Sequence, residues 1–252
     1  MVNSASQTAD QTSAAVQQPA LDAGLRNAYQ WLAVLTMLLD HLGYLYDIAA
    51  LRYVGRLSMP AYALLFAETM RTGHVRLHRL LILAIVSQPP VMYIFEDPKL
   101  NIIFGFAIFA FAASAAQQRR WFAAAAGLAM MFIPVAYGWY LYVSLAVFYW
   151  IGQPWAQRGL FAAATAGYVV FTHTHPRQLL AALVPFIRHI RTPRLNKYVY
   201  RYFYPGHLYV LSVLNYFIIG SLTTPFINLR YSSEVFRCQQ FIRWLLHIVS
   251  GQ

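Results

Sequence analysis

Residues 31–43 read WLAVLTMLLDHLG and set Asp40 and His41 side by side in an otherwise apolar run. Two ionisable groups in a helix surrounded by lipid cost several kcal/mol unless they are paired or engaged in chemistry. The next apolar segment carries the matching charges, with Arg56-Leu57-Ser58-Met59-Pro60 near its start and Glu68 near its end. An Asp40–Arg56 ion pair across a short hairpin is the natural way to hold both groups in a membrane. Neighbours on a helix do not face each other, so Asp40 is expected to serve Arg56 and to leave His41 free towards a cavity.

The rest of the chain fits that setting. Of 252 residues 59% are hydrophobic and 11% charged, against about a quarter charged in soluble domains, and the mean hydropathy is +0.46. Apolar segments recur at roughly 29–46, 53–70, 77–95, 101–117, 121–136, 139–152, 159–172, 178–188 and 202–222. They predict an all-α polytopic membrane protein with eight or nine transmembrane helices. Several are shorter than the ~20 residues that span a bilayer, and 159–172 with 178–188 could form a tilted or re-entrant hairpin.

The net charge of +11 could suggest nucleic acid, but the bases lie in short loops between apolar runs, so no nucleic-acid partner is expected. With the N-terminus in the cytoplasm, twelve of the 19 Lys and Arg fall on the cytoplasmic side and four on the outer side, in accord with the positive-inside rule. The remaining three lie in the C-terminal tail. Residues 1–24 lack a basic start and an apolar stretch, so they read as a disordered cytoplasmic tail and not as a signal peptide. Residues 25–224 form the membrane domain, and 225–252 alternate apolar and basic residues like an interfacial amphipathic helix. The single cysteine, Cys238, excludes an internal disulfide and a cysteine metal site.

Two further places draw notice. Ser87-Gln88-Pro89-Pro90 is expected to break the third apolar helix. Tyr204-Pro205-Gly206-His207 is expected to interrupt the last helix, leaving His207 one turn inside the membrane and free backbone N–H groups suited to an anion. The most basic loop, Arg188 to Arg201, precedes this break. Its bases could hold the phosphates of a nucleotide or coenzyme; positive-inside bias is the better account of any single base, with Arg201, nearest the break, as the exception. His74-x3-His78 has metal spacing but no carboxylates beside it, and His173-x-His175 sits in a short outer turn, so no metal is expected. Glu68, one turn before Arg71, suits either an i,i+3 salt bridge or a site role.

The stretches WLAVLTMLLDHLG, LRYVGRLSMPAYALLFAETM and LHRLLILAIVSQPP resemble the TraX family of pilin N-acetyltransferases. So do NIIFGFAIF, AYGWYLYVSLAVFYW and KYVYRYFYPGHLYVL, and the likeness runs colinearly over about 29–222. The family is itself similar to broader membrane acyltransferases that use an intramembrane histidine. The resemblance implies a multi-pass enzyme of the bacterial inner membrane in conjugative systems. Such an enzyme transfers an acetyl group from acetyl-CoA to the N-terminal amine of a pilin subunit. The matching positions are Asp40, His41, Arg56, Glu68 and His207. Amine acylation needs a proton acceptor and a stabilised oxyanion, which suits His41 as base and Arg56 as oxyanion partner or holder of Asp40. His207, Glu68 and Arg201 would then help position the coenzyme. Three alternatives remain: acylation of a glycan or lipid, a transporter using Asp40, Arg56 and His41 as a proton relay, and a non-catalytic pilus assembly factor.

Overall fold

The computed structural model describes residues 21–222, apart from 96, 174, 188 and 189. Those residues are predominantly helical. The elements in order are α1 (Ala23–Leu45), α2 (Ala49–Gly55), α3 (Ser58–Arg71), α4 (Leu77–Phe95), α5 (Ile102–Gln117), α6 (Trp121–Met130), α7 (Trp139–Trp150), α8 (Pro154–Thr172), a 3₁₀ helix (Pro176–Phe186) and α9 (Lys197–Leu222). The only extended pairing among them is an isolated bridge between Leu100 and Val135. The amphipathic tail predicted over 225–252 lies outside the described residues. Helix α1 starts at Ala23, inside the segment read as a tail, and Leu21 donates its backbone N–H to Glu68 Oε1 at 3.1 Å.

Helix α3 is central and packs on α1, α7 and the 3₁₀ helix, while α4 packs on α5 and α9. The main core joins Met59, Leu65, Phe109, Tyr140, Leu145, Phe148 and Phe161, and a second core joins Val91 and Ile94 to Leu208 and Leu211. Phe122 and Phe171 are 96% and 79% exposed, apolar surface of the kind that meets lipid or a partner. One described helix, Leu77–Phe95, is by length and apolar composition able to cross a membrane alone; Ile102–Gln117 and Trp121–Met130 are apolar but shorter. The multi-pass arrangement is therefore an inference from the sequence and not a property of each helix.

The segment 53–70 is not one helix. It divides at Arg56-Leu57 into α2 and α3, because α2 folds back along α1 before α3 departs. Two glycines permit that contact. A Cβ on Gly55 would lie 2.3 Å from Asp40 Cβ, and one on Gly43 would lie 2.9 Å from the Arg52 backbone nitrogen. Such a clash must push backbones apart, at about 1–3 kcal/mol for overpacking. Gly55→Ala is therefore expected to lower unfolding stability in detergent by that amount. An unchanged melting curve would show that α2 does not sit against α1.

Two expected breaks are absent. Helix α4 runs through Pro89 and Pro90, because its neighbours satisfy the disturbed backbone. Pro90 cannot donate to Val86 O, and that carbonyl instead accepts from the Tyr209 hydroxyl of α9 at 3.0 Å. Ser87 Oγ donates to Leu83 O at 2.7 Å. Gln88 ties α4 to the start of α5, donating to Lys99 O at 3.0 Å and accepting from Asn101 N at 2.8 Å. Likewise α9 continues through Pro205 and Gly206. Its helix start lies at Lys197, so the free N–H groups expected before His207 do not exist there.

Candidate functional site

The hairpin of α1 and α2 builds the first half of the site. Asp40 is buried, and its Oδ1 lies 3.6 Å from Arg56 Nη2 and 3.8 Å from Arg52 Nε. All three side chains are mostly shielded, at 9%, 13% and 18% exposure for Asp40, Arg56 and Arg52. Asp40 Oδ1 makes no hydrogen bond among the described residues. One carboxylate against two guanidiniums leaves the cluster with excess positive charge, a setting suited to a developing oxyanion. The Arg52 guanidinium also lies over the Tyr44 ring, 5.1 Å from its centroid. Tyr137, in the α6–α7 connection with a left-handed φ of 66°, faces Asp40, Arg52 and Arg56. Burial pushes its phenol up to about 12, so it is a protonated donor at neutral pH.

The second half joins α1 to α9. His41 Nδ1 and His207 Nε2 are 2.7 Å apart, and His207 Nδ1 lies 2.6 Å from Phe203 O. The two imidazole planes are 10° apart with centroids at 4.9 Å, so the rings meet edge to edge, as a bond between ring nitrogens requires. Phe95 meets His41 edge-on at 5.0 Å, and Phe203 stacks on His207 at 4.6 Å. His41 is thus not free towards the cavity, as the sequence suggested; it lines the cavity while held by a partner. An unbroken α9 carries His207 ten residues past Lys197, about 15 Å along the axis at 1.5 Å per residue, where its Nε2 meets His41.

A cavity of about 1960 Å³ connects these groups to the other end of the bundle. Its lining steps along α1 from Arg26 to Asp40 and His41, and along α3 from Thr69 back to Ser58. Arg76, Arg79, Arg194, Lys197 and Arg201 join Arg26 in the wall. Arg26 and His41 are fifteen residues apart on one helix, about 22 Å along its axis. Between them the lining is largely apolar and aromatic, including Met59, Tyr62, Phe66, Phe106 and Tyr204. Pockets for one small molecule usually measure about 300–1,000 Å³, so this one has room for two reactants.

The structure brings Asp40, His41, Arg56 and His207 together. Arg201, exposed, lines the cavity from α9, six residues before His207. Glu68 lies elsewhere: it accepts from Leu21 N and pairs with Arg26 at 4.0 Å, near the start of α1. The i,i+3 pair with Arg71 does not form; Glu68 faces Arg26 instead. Sequence reasoning missed Arg52 and Tyr137. Arg52 had a signal, since four residues before Arg56 is one turn of helix and the same face. Tyr137 had none beyond the Tyr137-Gly138 turn. Among the described residues no three His, Cys, Asp or Glu side chains gather as metal ligands.

A family model described as "TraX protein" matches residues 25–215. No curated protein and no solved structure matches the chain significantly.

Proposed function

The chain belongs to the TraX family, a membrane-associated, pilin-related family of conjugation, and we propose that it is a multi-pass acetyltransferase of the bacterial inner membrane. In this reading acetyl-CoA enters from the cytoplasm and its acetyl group passes to the N-terminal amine of a pilin subunit. The N-terminus lies in the cytoplasm, as the twelve-to-four distribution of bases favours. The observation that carries the reading is a cavity with six bases at one end and His41, beside two arginines, about 22 Å deeper. The phosphates of a coenzyme A ester and its thioester stand at opposite ends of a long arm, and this cavity separates bases from histidine in the same way.

The chemistry follows from the groups present. His41 takes a proton from the acceptor amine as its nitrogen attacks the thioester carbonyl. The C–N bond forms, the C–S bond breaks, and the departing sulfur leaves as the thiol by taking up a proton. Arg56, with Arg52, offsets charge on the tetrahedral oxygen. A pilin subunit embedded in the same bilayer would reach the cavity laterally.

The test is transfer in detergent. Purified protein, acetyl-CoA and a peptide of the pilin N-terminus should yield a peptide heavier by one acetyl group in an intact-mass spectrum. A transporter should neither bind acetyl-CoA nor modify the peptide. An assembly factor should leave pilin mass unchanged and disturb only the pilus. Arg201→Gln is expected to raise KM for acetyl-CoA about five-fold, the ~1 kcal/mol of an exposed ion pair, with kcat unchanged. The difference should vanish at high salt, where exposed charges are screened. A KM equal to the parent's at low salt would remove Arg201 from the coenzyme site.

A further inference from the structure

We propose that His207 is a positioning residue that fixes the tautomer of His41, so that Nε2 of His41 is the nitrogen that accepts the acceptor's proton. The inference rests on the acyl-transfer reading and assigns roles within it. A carbonyl oxygen only accepts hydrogen bonds. The 2.6 Å contact between His207 Nδ1 and Phe203 O therefore requires the proton to be on Nδ1. A neutral His207 then has its lone pair on Nε2, and across 2.7 Å it must accept from Nδ1–H of His41. That places the lone pair of His41 on Nε2, which makes no hydrogen bond among the described residues, in a side chain that lines the cavity. The order from the backbone outwards is thus Phe203 carbonyl, His207, His41, reactant.

Packing holds this order in place. His207 is buried, stacked by Phe203 and met edge-on by Tyr204, while Phe95 meets the His41 ring edge-on. The same chain can share a charge. When the amine nitrogen bonds to the acyl carbon and its proton moves to His41 Nε2, the proton on His41 Nδ1 can shift to His207 Nε2. His207 then donates from both nitrogens, to Phe203 O and to His41. The reverse shift returns a proton to the cavity side, where the sulfur released from the carbon takes it. No proton is gained or lost by the pair over one turnover. A buried imidazolium shared between two rings is easier to form than one confined to His41. A relay of this kind uses no group that the cavity does not already contain.

The experiment compares His207→Ala and His207→Gln with the parent, all purified in detergent and each first shown to bind acetyl-CoA. A glutamine places a carboxamide oxygen near the site of Nε2 and can accept from His41 Nδ1–H, but it cannot take the proton. His207→Ala is expected to lose about a hundredfold in kcat, the lower end of what acid–base catalysis contributes, with KM for acetyl-CoA unchanged. His207→Gln should recover most of that loss. Equal kcat in parent and His207→Ala, or no recovery with glutamine, overturns the assignment. Nitrogen-15 spectra of histidine-labelled protein test the pair without any turnover. His41, identified by its loss in His41→Ala, should carry its proton on Nδ1 in the parent and lose that preference in His207→Ala. A parent with this tautomer but no acetyl transfer would overturn the acyl-transfer reading and leave the pair intact. A proton on Nε2 of His41 would overturn the pair whatever the activity.

Discussion

If the chain acetylates pilin as proposed, pilin from cells carrying the unaltered chain should bear one acetyl group and pilin from cells carrying His41→Ala should lack it. The expected loss of rate is about 10²–10⁴-fold, the usual contribution of a positioned base. Fold and insertion should survive, because His41 is half-buried at a cavity wall and not in the core. Intact mass of the pilin subunit reads the outcome directly. Normal acetylation in the variant would end the assignment of His41 as base. Unmodified pilin with both chains would mean that the acceptor or the reaction is wrong, and binding of acetyl-CoA to the purified protein would then separate those two.

Asp40→Asn is expected to destabilise the α1–α2 hairpin by about 3 kcal/mol, since removing one partner of a buried pair strands the other charge. Here two charges are stranded, Arg52 and Arg56, both largely shielded and both within 3.8 Å of Asp40. For a chain of this size the loss corresponds to a melting point lower by about 6–12 °C. The double variant Asp40→Asn/Arg56→Gln should lose less than the sum of its singles, because the pair is coupled. Unchanged thermal stability in Asp40→Asn would show that the ion pair does not hold the hairpin. Activity should fall with stability, since the pair also sets where Arg56 stands relative to His41.

Much of the architecture was legible because apolar runs report burial or lipid contact directly. The segments at 77–95, 101–117 and 139–152 lie within two residues of α4, α5 and α7. The errors share one cause. Local sequence predicts breaks at Pro89-Pro90 and Pro205-Gly206, yet both helices continue because side chains from other elements satisfy or surround the disturbed backbone. Tyr209 supplies the hydroxyl for Val86 O, and Pro205 is buried where α9 passes the bundle. The opposite error occurred at Arg56-Leu57, where a continuous apolar run hid a turn that only the close approach of Gly55 to Asp40 makes necessary.

The candidate site divides in the same way. Asp40 with Arg56 could be paired from sequence, because a short hairpin fixes the depth of its two arms. Tyr137 could not be placed at all, since its position depends on the α6–α7 connection passing beside Asp40, Arg52 and Arg56. The sequence by itself determined the all-helical class, the family and the isolated charges that demand partners, because each follows from composition or from order along the chain. Only the tertiary structure decided that His41 faces His207 across 166 positions of sequence and that two arginines share one carboxylate. Those pairings follow from how far each helix runs before it turns, and that length is set by neighbouring elements that lie far away in the chain.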